Sequence, residues 1–230
     1  MKTGFPGFPQ EGLKFLRGLK KNNNREWFQA RKDIYEEYVK APMVELVTAV
    51  ERGMSAFAPD FAAIEPSKAI YRIYRDTRFS NDKTPYKTHI AASLWRRDLD
   101  KNGTPGYYFG VSPEHVEVGG GSYMVCPPEL LKLRNHVAAD HKTFTRIAEN
   151  KELKKRYGGI QGEKLTRVPK GFPADHPAAD WLKMKQYYVY IQLDGKLAAS
   201  PQLLPEILAH LKAAAPLIDW LSDAIQPRED

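Results

Sequence analysis

One cysteine, Cys126, is all that the 230-residue chain contains. That excludes an intrachain disulfide and leaves no pair of thiols for a zinc site. Its flanks, Val125 and Pro127, point to a buried turn rather than an activated thiol. No apolar run approaches the roughly 18 residues that a membrane span needs. The opening MKTGFPGFPQEG lacks the apolar centre of a secretory signal. Together these features lead us to expect a cytoplasmic protein with no membrane partner.

Known chemical motifs are equally scarce. There is no GxxxxGKS/T phosphate loop and no HExxH pair. The run Gly119–Gly121 lacks the strand-to-helix context and the spacing of a dinucleotide fingerprint. Six histidines are scattered along the chain, with His136 and His141 straddling an expected helix boundary. We therefore expect neither a cofactor nor a metal site.

What is present is ordinary in bulk. Hydrophobic residues make up 42% and charged residues 27%, as in a globular protein rather than a disordered one. The length suffices to bury well over half of the unfolded chain's surface. A net charge of +7 permits an anionic partner, either nucleic acid or a phosphorylated substrate, without requiring one.

Leu13, Leu16 and Leu19 recur at helical spacing. Asn23 followed by Glu26 resembles a capping box opening a second helix. Pro42 suits the first turn of a third, Met43–Arg52, and Gly53 its end. The character then changes to β-branched and aromatic runs: AIYRIYRD, HIAASLW, YYFGVS, VEVGGGSYM and, later, QYYVYIQLDG. Short turns between the first four favour an antiparallel meander. PPELLKLRNHVAAD and HKTFTRIAENKELKKRYGG read as a resumed helical pattern ending at glycine. The tail is helical, with Pro216 expected to kink or split it. The predicted fold is α+β: a single domain over 1–230, with a mainly antiparallel sheet of about five strands and helices at both ends.

One segment departs from this background. From Arg72 to Lys87 the chain carries five basic and two acidic residues, interleaved with aromatic rings. Strand alternation assigns Arg72, Tyr74, Asp76 and Arg78 to one face. Guanidinium groups cannot neutralise themselves to escape burial, so each needs water, a carboxylate or an external anion. Asp76 and Asp82 can serve two of them. Pro85 stiffens DKTPYK, which presents Lys83, Tyr86 and Lys87 as an anion-binding rim.

The pattern Arg72-x-x-Arg75-Asp76-x-Arg78-Phe79-x-x-Asp82-Lys83-x-x-Tyr86 resembles the hallmark of a bacterial and fungal family catalogued as domain of unknown function 2461. FLRGLKKNNNREWF, VGGGSYM and RVPKGFPADHPAADWLKMK extend the resemblance over most of the chain. It implies no activity. It does make the hallmark residues the first candidates for a site.

The candidate anion-binding residues are therefore Arg72, Arg75, Arg78, Lys83, Tyr86 and Lys87. Asp82, Arg25, Trp27 and Asp175 are supporting candidates, and Asp76 and His176 are candidate catalytic groups. Two further groups, Asn23–Trp27 and the loop Lys170–His176, are expected to converge on the cationic segment. The leading functional reading is a pocket for a phosphorylated or carboxylated small molecule. The alternatives are a structural protein whose arginines pair internally, and a nucleic-acid module using basic residues and stacked tyrosines.

Overall fold

A computed structural model describes residues 4–61, 65–78, 80–96, 98–99 and 104–225. Phe79 of the hallmark and the first three residues of the KNGTPG turn lie outside these.

Leu13, Phe15, Leu16 and Leu19 bury one stripe of helix α1 (Gln10–Lys21), which frays into Asn22. The next helix, α2 (Arg25–Gln29), is capped by Asn24, whose side chain accepts the Trp27 N–H at 2.9 Å. The capping residue is therefore Asn24, one position later than the sequence pattern suggested, and Asn23 is released for another task. Helix α3 (Lys32–Tyr35) passes through a π-helical turn, Glu36–Lys40, into α4 (Ala41–Met54), which holds Pro42 in its first turn. A single turn, α5 (Pro66–Ala69), leads into the cationic segment.

The sheet is antiparallel and has four strands rather than about five, in the order β1 (Ile90–Trp95), β2 (Gly106–Val111), β3 (His115–Ser122) and β4 (Tyr187–Asp194). The missing strand is the run AIYRIYRD, residues 69–76. Among the described residues it makes isolated bridges alone, Ile70 with Ala92 and Tyr74 with Tyr86. Continuous pairing there would have to align a run of like charges, and the chain forms a looped hairpin instead. Exposure nevertheless alternates along the stretch: Arg72, Tyr74, Asp76 and Arg78 are exposed, while Ile73 is buried and Arg75 partly so.

Gly119 and Gly121 provide the expected close backbone approach. A Cβ on Gly119 would meet the Val189 carbonyl oxygen at 2.5 Å, and Gly121 sits at φ 114° against β4. Tyr188 and Tyr190 share the less buried face of β4, with Tyr187 and Val189 on the other.

The helical pattern after the sheet breaks into α6 (Pro127–Ala139), α7 (His141–Ala148) and α8 (Lys151–Tyr157). Asp140 and Asn150 interrupt it because their side chains cap the following helices, accepting from Thr143 and from Glu152 and Leu153. Gly158, at φ 77°, ends α8 in the left-handed conformation that glycine adopts without strain. A short helix α9 (Ala179–Leu182) precedes β4. Helix α10 (Leu203–Asp223) runs through Pro216 without splitting. Leu211, Leu217, Ile218 and Leu221 are fully buried on both sides of that proline, and their burial outweighs the roughly 3 kcal/mol cost of an interior proline. Cys126 precedes α6 and is exposed, with its thiol beside the Glu129 carboxyl, so the expected buried turn is not found.

Chain contacts divide the molecule into two compact units. The first comprises the described residues of Met1–Leu94, Tyr108–Val118 and Gln192–Ala209. Its buried residues include the α1 stripe, Phe28, Tyr35, Met43, Leu46 and Val47 of α4, and Phe109, Val111 and Val116 of the sheet. The second comprises those of Trp95–Tyr107, Gly119–Ile191 and His210–Asp230. There Phe144 gathers Trp181, Tyr187 and Trp220 at centroid distances of 5.3, 5.7 and 4.9 Å. Among the described residues no helix is long and apolar enough to cross a membrane.

Candidate functional site

The cationic hairpin belongs wholly to the first unit. Its base is a short irregular ladder: Tyr71 N–H donates to Ala91, Lys87 N–H to Ile73 and Arg75 N–H to Pro85, at 2.9, 2.8 and 2.9 Å. Ile73 and Tyr86 are buried. Tyr86 stacks on Phe28 at 4.2 Å with the rings 17° apart, so its ring is a core contact and not part of an exposed rim. Asn23 clamps the same residue from outside. Its amide donates to the Tyr86 carbonyl at 2.9 Å and accepts the Tyr86 N–H at 3.0 Å.

Beyond Arg75 the chain loops from Asp76 to Thr84, and ion pairs organise this tip. Arg78 donates Nε and Nη2 to the two oxygens of Asp76 at 3.0 and 2.7 Å, a bidentate fork. Arg75 pairs with Asp82 and with the Thr84 hydroxyl across the loop. Thr84 N–H donates to Asp82 at 2.9 Å. Lys83 Nζ donates to the Thr77 carbonyl at 2.9 Å. The Arg78 side chain and its backbone N–H hold the Asp76 carboxyl down to about 2. Asp82 is likewise held at about 2, chiefly by the Thr84 N–H and then by Arg75. Carboxylates so firmly ionised are poor bases at neutral pH.

Arg72 and Lys87 differ from these. Among the described residues no carboxylate stands within ion-pair distance of either. Lys87 is half-buried, with its ammonium 5.2 Å from the centre of the Tyr71 ring. Burial, and then repulsion from Arg72, pushes its pKa down. The accounting drawn from the sequence thus resolves unevenly. Two arginines find aspartates of their own loop, and two cations at the base do not.

Trp27 packs where Gly18 leaves room on α1 and carries the Arg31 guanidinium 4.5 Å above its ring. Arg25 begins α2 and lies close enough to Tyr86 to act on it electrostatically. The Asn23–Trp27 group therefore does meet the hairpin. Asp175 and His176 lie in the second unit, where the His176 ring accepts the Ala178 N–H through Nδ1 at 3.0 Å and sits 5.8 Å from the His141 ring. No set of three or more His, Cys, Asp or Glu residues among the described ones is placed to hold a metal ion. Two surface depressions, one lined by Phe5, Glu45, Arg52 and Leu208 and the other by Tyr123, Met124 and Lys185, share no residue with the hairpin.

Sequence reasoning passed over a polar group beside the hairpin base. Tyr108 of β2 donates its hydroxyl to Glu117 of β3 at 2.6 Å, and His115 Nε2 lies 3.3 Å from the other Glu117 oxygen. The available signal was alternation. Glu117 stands between two valines in VEV, so the strand period turns it away from the core.

A family model described as "Conserved hypothetical protein (DUF2461)" matches residues 11–220. The chain belongs to that family. The match begins in α1, contains the whole cationic hairpin and continues into α10. A search of curated proteins returned no match.

Proposed function

We propose that the hairpin is an anion-recognition element for a phosphorylated or carboxylated small molecule. Arg72 and Lys87 contact the guest, while Arg75, Arg78 and Lys83 hold the loop in shape. One observation carries this reading. A half-buried ammonium has a guanidinium as its electrostatic neighbour, and among the described residues neither forms an ion pair, Asp76 acting on Arg72 only at longer range. An anion between them relieves the repulsion and offsets the desolvation of Lys87. The paired loop supplies preorganisation, because cations fixed before binding lose less entropy on binding.

A second reading is favoured by the Arg78–Asp76 fork and the Arg75–Asp82 pair: the cluster is purely structural, and its ion pairs exist to shape the loop. The two readings part on Arg72, which in the structural account acts on the loop only through its weak attraction to Asp76. The exposed, unpaired Cys126 suits a reducing compartment, and we take the cytoplasm as the setting.

Thermal-shift and calorimetric titrations with inorganic phosphate at low salt test the proposal. Arg72→Ala should abolish a phosphate-induced rise in Tm while leaving the unliganded Tm nearly unchanged. Arg78→Ala should do the reverse. If Arg72→Ala binds phosphate as the native protein does, the structural reading stands alone.

A further inference from the structure

The polar group on β2 and β3 adjoins the hairpin base. The Tyr71 ring is 6.3 Å from that of Tyr108 and lies beneath the Lys87 ammonium. His89 feels Glu117, Lys87 and His115 together: Glu117 favours its protonation and the other two oppose it. Anionic and cationic groups thus meet across one tyrosine.

Gly110 is what lets them lie flat on the sheet. A Cβ there would come within 2.9 Å of a Glu117 oxygen and 3.1 Å of the Tyr108 hydroxyl. The Glu117 side chain is only 12% exposed. An ionised carboxylate accepts hydrogen bonds and donates none, so a guest atom meeting it must be a donor. A second phosphate or carboxylate would be repelled. An alcohol is a neutral donor that fits beside an anion, against a shielded carboxylate and an imidazole.

Resting on the reading of Arg72 and Lys87 as anion contacts, we propose that the guest is a phosphorylated sugar or polyol. Its phosphate lies on Arg72 and Lys87. Its hydroxyls donate to Glu117 and exchange hydrogen bonds with His115, and its C–H face rests on Tyr71. A site built to hydrogen-bond a hydroxyl strongly rejects the analogue that lacks it.

Two probes test this by calorimetry: methyl phosphate, which carries the charge alone, and ribose 5-phosphate, which adds hydroxyls. The native protein should bind ribose 5-phosphate more tightly by about tenfold or more, the worth of a hydroxyl or two in a shielded site. Glu117→Gln should bring the ratio close to one, and Arg72→Ala should weaken both probes. Should Glu117→Gln fail to fold, Glu117→Asp draws the carboxylate back by one methylene and should lower the ratio in its place. Equal affinities in the native protein, or a preference that survives substitution at Glu117, overturn the inference while leaving the anion site standing. If neither probe binds, the reading of Arg72 and Lys87 fails first and this one with it.

Discussion

The side-chain amide of Asn23 pairs with both backbone groups of Tyr86, at 2.9 and 3.0 Å, across 63 residues of sequence. In effect it adds one residue of strand pairing to the hairpin base. It fastens the cationic segment to the N-terminal helices through a part-buried contact rather than a surface one. Its neighbour Asn24 does the local work of capping α2.

Asn23→Ala should therefore cost about 1–3 kcal/mol, because a buried backbone donor and acceptor lose their partners. Asn24→Ala should cost about 1 kcal/mol, as lost caps do. Hydrogen exchange separates them. The first should speed exchange at the Tyr86 amide and the second at the Trp27 amide. Equal effects on Tyr86 would contradict the division of labour.

Phe28 joins α2 to the hairpin, with Phe15, Tyr35, Tyr74 and Tyr86 within 4.2 to 6.4 Å of its ring centre. Phe28→Ala should lose about 3–5 kcal/mol in urea denaturation, the usual cost of a large buried aromatic. A loss below about 1 kcal/mol would mean that the ring is not a keystone of this core.

Asp76 and Asp82 are both held near 2, below the ordinary 3.8. A depressed folded-state pKa stabilises the loop above the unfolded value and ceases to do so as pH falls through the folded value. The loop should thus keep its shape at pH 4 and loosen between about 4 and 2. Carboxyl-carbon NMR should find both groups titrating near 2. Arg75→Ala should raise Asp82 only part of the way, since the Thr84 N–H remains, and should leave Asp76 alone. Ordinary values for both in the native protein would remove the latch.

Much of the architecture could be read in advance because it rests on periodic patterns. Buried leucines at helical spacing mark α1, and β-branched and aromatic runs mark β1 to β4. The glycines opposite β4 signalled a close backbone approach. What was misread depended on competition that a pattern does not reveal. Tyr71–Arg78 has strand composition, yet Arg75 and Arg78 find their aspartates within a loop. Asn23 and Asn24 are identical in type, and only the fold decides which caps and which clamps. At the proposed site, the partners of Arg75 and Arg78 are set by loop closure, which a linear pattern does not show. Glu117, Tyr108 and His115 come together only through strand pairing.

The electrostatic link between the hairpin base and β3 has its own reporter. Burial lowers the His89 pKa from 6.5, Glu117 raises it, and Lys87 lowers it. Lys87→Met should therefore raise the His89 midpoint in an NMR titration, and Glu117→Gln should lower it. Shifts of the same sign in the two variants, or none, would separate His89 from the cluster.

Side-chain NMR of labelled arginine and lysine, titrated with inorganic phosphate at low salt, reads each cation singly. The account predicts saturable shifts at Arg72 Nε and Lys87 Nζ, with Arg75 and Arg78 nearly still. No shift at Arg72 and Lys87, or a uniform and unsaturable drift of all four, contradicts it.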